Sequence, residues 1–334
     1  MADVSEEFPE LFHYTTVSSF ESIYKTRTFW ATHYEDLNDS TELGRFRLNV
    51  CDFIRPIIHE TLIVWMQQLA EIAKDVEKRG GIETVVHKEA NTLLDALHEN
   101  TFGELTFGET FICSFCAHIN DYQANHGLLS QWRGYGADGG VAIVLKTHGI
   151  KELMRNEQET FGHQVHHLGK VVYDSAEGDV EIKNEFKLLF ESFPKILKEM
   201  LPKDRNRKAL DLVPHFENIL EPFVSGSTLV KHHAFQEEKE IRIVVSPRLA
   251  DAEATFYRSV HDSKPQKQTR YVQNGERERR YIELFNRIPD NSTLPIERII
   301  IGPSRIQNVN YQVIKGLVEG SNITVDKSDI PFLG

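Results

Sequence analysis

The densest cluster of chemically useful side chains lies in Phe235-Gln236-Glu237-Glu238-Lys239-Glu240-Ile241-Arg242-Ile243-Val244. Period-two alternation predicts that Glu238, Glu240 and Arg242 share one face of a strand that runs on into an apolar segment. A solvated strand edge produces such a charge pattern. Two carboxylates one residue apart beside a guanidinium also form a unit in which one acid does acid/base work or stabilises a cation while its neighbours hold it. An early strand, Leu11-Phe12-His13-Tyr14-Thr15, places His13 and Thr15 on one face and Phe12 and Tyr14 on the other. A strand histidine of this kind is either a satisfied core residue or a ligand contact. Trp132 and Tyr135 lie in the polar, glycine-flanked stretch Ser130-Gln131-Trp132-Arg133-Gly134-Tyr135-Gly136, as peripheral core or as the wall of a cleft.

Other motifs favour bland readings. Cys113 and Cys116 are separated by an odd step on a strand, which points the thiols to opposite faces, and no second pair completes four metal ligands. His163-x-x-His166-His167 and His232-His233 lack the HExxH pattern, so no metal site is expected. The glycine-rich run from Gly134 to Gly140 precedes a strand and opens no helix, so it reads as a turn and not as a phosphate loop. Neither GxGxxG nor a Walker loop occurs.

These residues need strands to hold them. Strand character is predicted for Thr28 to Ala31, Thr110 to Cys116, Val141 to Leu145, Val165 to Tyr173, Ser227 to Ala234, Glu240 to Val245, Arg279 to Leu284, Ile296 to Ile301 and Ile323 to Val325. Ser18-x-x-Glu21 reads as a capping box opening a short helix with Phe20, Ile23 and Tyr24 on its apolar face. Two helical blocks interrupt the strands, at about 45–101, broken into two helices by Gly80-Gly81, and at about 180–223. Scattered strands without regular strand-helix alternation predict an α+β fold in a single domain over 1–334 with helical inserts.

The 334 residues carry 38 basic and 50 acidic side chains, a net charge of −12. That balance provides no extended electropositive face, which argues against a nucleic-acid partner held by bulk electrostatics. Three cysteines cannot form a disulfide framework and fit a reducing compartment; an acidic N-terminus without an apolar core and the absence of long apolar runs complete the expectation of a cytoplasmic protein with no membrane role.

Several motifs recur together in order: His13-Tyr14-Thr15 with Phe20-x-x-Ile23 and Thr28-Phe29-Trp30, Leu37-Asn38-Asp39-x-x-Glu42, Cys113-Ser114-Phe115, Gln131-Trp132-x-x-Tyr135, Gly140-Val141-Ala142-Ile143, Glu238-x-Glu240-x-Arg242, Ile299-Ile300-Ile301-Gly302-Pro303 and Val325-x-x-Ser328-x-Ile330-Pro331-Phe332. As a set they resemble the bacterial family catalogued as domain of unknown function 2971, over nearly the whole chain. More distantly, the chain is similar to ADP-ribosyltransferases of the histidine-tyrosine-glutamate kind, which implies a fold of split antiparallel sheets with NAD as substrate. In that superfamily a histidine bonds a ribose of NAD, an aromatic packs on nicotinamide and a glutamate holds the ribose 2′-hydroxyl. By resemblance these roles fall on His13, on Tyr135 or Trp132, and on Glu240, with Glu238 as companion acid. Thr15, Ser114 and Arg242 complete the implied cofactor contacts, and Arg133 and Lys231 are further phosphate candidates. Ser114 stands where many transferases carry a serine-threonine-serine run. The resemblance implies transfer of ADP-ribose to an unknown macromolecular acceptor, or hydrolysis of NAD, in a toxin or phage-defence setting. The rival expectations are a nucleotide-sensing or protein-binding module without turnover, and a metal-dependent nuclease using Asp39, Glu42, Glu238 and Glu240.

Overall fold

The computed structural model describes residues 3–37, 42–102, 109–136, 139–174, 223–247, 264–275, 277–286 and 293–331. The fold is α+β, built on one large mixed sheet. Its strands are β1 (Glu10–Thr15), β2 (Phe29–His33), β3 (Phe111–Cys116), β4 (Val141–Lys146), β5 (His163–Lys170), β8 (Glu240–Pro247), β9 (Arg270–Asn274), β10 (Arg277–Leu284), β11 (Ile296–Ile301) and β12 (Thr324–Lys327). The short strands β6 (Val172–Asp174) and β7 (Val230–His232) form a separate parallel pair.

The sheet forks at β3. One edge of β3 pairs with β8 along its whole length, from Phe111↔Val245 to Cys116↔Glu240. The other edge is shared: β2 pairs at its start, through Thr32↔Ile112 and His33↔Phe111, and β1 pairs only at its end, through Phe12↔Cys116. Between those contacts, Cys113 to Phe115 face no strand on that edge among the described residues. One arm of the fork continues through β1, β4, β11 and β12, and the other through β2, β10 and β9.

Alternation along the strands separates the two faces. On one face Leu11, Phe29, Cys113, Phe115, Ile143, Ile241, Ile282 and Ile299 form a core covered by the helix Val17–Thr26 through Phe20, the helix Thr147–Thr160 through Ile150 and Met154, and the helix Gln307–Leu317 through Ile314. The first of these is capped by the Thr16 hydroxyl, which accepts from the Ser19 amide, and not by the expected Ser18. The other face carries two separate covers. The insert Glu42–Gln68, Ala70–Lys78 and Ile82–Phe102 packs Phe46, Ile54, Val76 and Leu94 over Ile112 and Val244. The short helix Leu129–Tyr135 packs Trp132 over Phe12, Tyr14 and Cys116. A gap remains between the two covers, beside the fork.

Three further sequence expectations require correction. The first insert contains three helices and not two, because the chain breaks at Leu69 as well as at Gly80 and Gly81, whose φ values of 100° and 93° suit glycine. The segment expected as one strand, Val165 to Tyr173, is divided between β5 and β6, which belong to different sheets. Residues 223–229 are helical where Ser227 to Ala234 reads as a strand, and β7 spans only Val230–His232. The expected insert at 180–223 lies outside the described residues except for Phe223. No described helix is long and apolar enough to cross a membrane.

Candidate functional site

The gap is a cavity of about 450 Å³ lined by residues from both arms and from the helix Leu129–Tyr135. His13 and Ser114 stand at the fork, Gln131 and Tyr135 on the helix Leu129–Tyr135, Glu238, Glu240 and Arg242 at the start of β8, and Trp30 and Arg279 on the outer arm. Side chains more than 200 positions apart in sequence therefore meet here, as His13 and Glu240 do.

His13 is the wedge. Its ring lies edge-on to Phe29 of β2, with centroids 5.2 Å apart, and 5.6 Å from Phe115 of β3. Nδ1 lies 3.1 Å from the carbonyl oxygen of Ser114, on the edge of β3 that no strand covers. A carbonyl only accepts, so Nδ1 carries the proton and Nε2 is left as an acceptor. Burial lowers the His13 pKa against the opposing pull of the Ser114 carbonyl, and the ring is neutral near pH 7.

Opposite, four charges form a compact group. Glu240 Oε1 accepts from Arg242 Nε at 2.8 Å, and Oε2 accepts from Arg242 Nη2 at 3.0 Å and from Lys231 Nζ at 2.9 Å. Lys231 also donates to Glu238 Oε2 at 2.9 Å, and the Arg242 Nη1 donates to the carbonyl of Thr228 at 2.5 Å. Burial alone would raise the Glu240 carboxyl, but Arg242 and Lys231, together with hydrogen bonds from Arg242 and Ser114, bring it down to about 2. Glu238 moves the other way: burial and repulsion from Glu240 outweigh Lys231 and Arg242 and leave its pKa raised. Two anions and two cations balance, which is the condition for keeping all four charges in a poorly solvated site.

Glu238 is not on the strand as expected, although it lines the same cavity as Glu240. Glu238 ends a 3-10 turn, His233–Glu238, and Lys239 takes a left-handed φ of 46° before β8 begins at Glu240. Its carboxylate joins that of Glu240 through Lys231, which β7 delivers, and not through strand alternation. Lys231, held between the acids, thus forms part of this charge group.

Of the two candidate aromatics, Tyr135 lines the cavity and is 45% exposed, whereas Trp132 is 2% exposed and belongs to the core. Trp132 Nε1 donates to the carbonyl of His126 at 3.0 Å and its ring meets Tyr14 edge-on at 4.7 Å. Thr15 shares no part of the lining; it closes β1 opposite Val141. Ser114 lines the cavity with its carbonyl bonded to His13, and its side chain helps lower the Glu240 pKa. Arg133 is exposed on the helix that carries Tyr135, and Asp39 lies outside the described residues.

Gln131, Trp30 and Arg279 are lining residues that sequence reasoning missed as contacts. Gln131 sits one turn before Tyr135, a helical spacing that becomes visible only once the segment is known to be a helix. Trp30 is 47% exposed and stacks on Tyr281 at 4.1 Å, a cross-strand arrangement set by the β2–β10 register.

Two other clusters bear on metal chemistry. Cys113 and Cys116 are buried in different cores on opposite faces, with thiols pushed up by burial. Asp174, His232 and His233 bring potential ligand atoms within 4.8 Å of one another, an acidic partner supplied by the β6–β7 pairing that spacing could not reveal. Both imidazoles are already committed to backbone: His232 Nδ1 accepts from the Ala234 amide at 3.1 Å, and His233 Nδ1 donates to the Asp174 carbonyl at 3.1 Å.

Fold and site together define an α+β protein with a forked sheet and a polar, aromatic-walled cleft at the fork. A family model described as a protein of unknown function (DUF2971) matches residues 131–243, a span that runs from Gln131 through Tyr135, Glu238, Glu240 and Arg242. That match supports the resemblance to this family. No curated protein and no solved structure matches the chain.

Proposed function

We propose that the cleft binds NAD and cleaves its nicotinamide–ribose bond, passing ADP-ribose to a macromolecular acceptor or to water. The observation that carries this reading is the meeting of His13, Tyr135, Glu238 and Glu240 on one cavity at a break in the sheet. Nε2 of His13 accepts from a ribose hydroxyl, its tautomer set by the Ser114 carbonyl. The Tyr135 ring packs on the nicotinamide. Trp30 and Arg279, on the outer arm, receive the base and the phosphates of the adenylate half.

As the glycosidic bond breaks, its electron pair leaves with nicotinamide and positive charge develops on the ribose. The Glu240 carboxylate, ionised and aimed by Arg242, Lys231 and Ser114, favours that charge more than it favours the ground state. Glu238, whose raised pKa suits a proton acceptor, takes the proton from the incoming nucleophile as its bond to the anomeric carbon forms.

The test is incubation with NAD carrying a labelled adenylate, in the presence of cell lysate. Nicotinamide release with label transferred to a macromolecule, or to free ADP-ribose, is expected. Glu238→Gln lowers turnover about 100-fold or more while NAD binding is retained. Failure of NAD to bind overturns the reading.

One observation favours a second reading, a nucleotide-sensing module. Both oxygens of Glu240 are already engaged by Arg242 and Lys231, so a ribose hydroxyl must compete for them. NAD binding without nicotinamide release selects that reading.

A further inference from the structure

We propose that Gln131 reads the carboxamide of the dinucleotide and makes the cleft selective for NAD over its deamidated analogue, nicotinic acid adenine dinucleotide. This rests on the NAD reading and names the substrate feature recognised at that same site. Gln131 is only 4% exposed, yet its side-chain amide makes no hydrogen bond among the described residues. It is not among the fully enclosed polar atoms that lack a partner, and the space it lines is the cleft. A largely buried amide that opens only to the cleft has limited access to water and no protein partner among the described residues, and its retention is explained when a ligand in the cleft supplies partners.

The helix Leu129–Tyr135 fixes what that ligand must look like. Trp132 locks the helix against the sheet through its bond to His126 and its contact with Tyr14. Gln131 and Tyr135, one turn apart, therefore both reach the cavity, at a spacing of about 5–6 Å between their β-carbons. A flat ring packed on Tyr135 and bearing a primary amide places that amide beside Gln131. Two primary amides complement each other, N–H to carbonyl in both directions. A carboxylate in the same position offers no donor, so the Gln131 Oε1 faces an anionic oxygen, with the Glu238 and Glu240 charges in the same cleft. Sites built around such paired hydrogen bonds reject analogues lacking one partner more strongly than apolar pockets reject a missing methylene.

The decisive comparison is calorimetric titration of wild type and Gln131→Leu with NAD and with nicotinic acid adenine dinucleotide, alongside thermal unfolding. Wild type is expected to bind NAD at least about tenfold more tightly than the analogue. Gln131→Leu is expected to bring that ratio near one by weakening NAD alone, without lowering the melting temperature, since an apolar side chain replaces an amide that had no partner. An unchanged ratio, equal weakening of both dinucleotides, or weaker binding accompanied by a lower melting temperature overturns the inference and leaves the NAD reading standing. If wild type binds neither dinucleotide, both fall.

Discussion

His13 Nδ1 donates to the carbonyl oxygen of Ser114 across the opening between β1 and β3, at 3.1 Å. This one bond satisfies a backbone acceptor that a continuous sheet would have paired, and it fixes which imidazole nitrogen is available to a ligand.

The wedge can be divided into its ring and its proton. His13→Phe keeps an aromatic against Phe29 and Phe115 but leaves the Ser114 carbonyl unpaired, and is expected to cost about 1–2 kcal/mol of stability. His13→Ala also removes the packing and should cost about 3 kcal/mol. Denaturant titration of both variants checks the order; equal losses would mean that the hydrogen bond contributes nothing.

The charge group predicts a penalty for neutralising one member and relief on neutralising two. Glu240→Gln removes the buried carboxylate that Lys231 and Arg242 share and should destabilise by about 3 kcal/mol. Adding Lys231→Met removes one of the two cations that the lost carboxylate had paired and should recover more than half of that loss. A double-mutant cycle in chemical denaturation measures this, and additive losses would show the four charges to be independent.

Stability should begin to fall at a higher pH than carboxylates alone dictate. Burial holds His33, His118 and His166 at about 4 and His163 at about 3, against an ordinary value of 6.5. Below 6.5 the unfolded chain takes up protons that the folded chain refuses, so each of these histidines removes about 1.4 kcal/mol per pH unit until its own folded value is reached. Glu240 acts later: its contribution is present above 4.5 and is lost as the pH falls toward about 2. Melting temperatures should decline from about pH 6.5 downward; a plateau extending to pH 4.5 would contradict this.

On the NAD reading, the acidic limb of the pH–rate profile reports Glu238. Its raised pKa places the rise in activity above the ordinary carboxylate range, because the base must first lose its proton. Glu238→Gln should remove that limb along with most of the rate.

Much of this arrangement was legible in local pattern. The alternation of β1 correctly divided Phe12 and Tyr14 from Leu11 and His13, and the odd spacing of Cys113 and Cys116 correctly sent the thiols to different cores. Other readings failed where short-range pattern carries no information about long-range partners. Glu238 looked like a strand residue because it is two positions from Glu240, but a left-handed Lys239 lies between them. Trp132 and Tyr135 looked equivalent until the helix Leu129–Tyr135 turned one into the core and the other toward the cleft. Gln131 stood out only as part of the motif Gln131-Trp132-x-x-Tyr135, since an unsatisfied amide is a property of surroundings and not of residue type.

The sequence by itself determined which segments become strands and which of their residues are apolar, because both follow from periodicities of two to four residues. Only the tertiary structure decided that β1 and β2 share one edge of β3, that Lys231 sits between Glu238 and Glu240, and that Gln131 meets no partner among the described residues. Those outcomes depend on which distant strands pair and how two separate covers pack on one face, a competition among long-range contacts that no local spacing encodes.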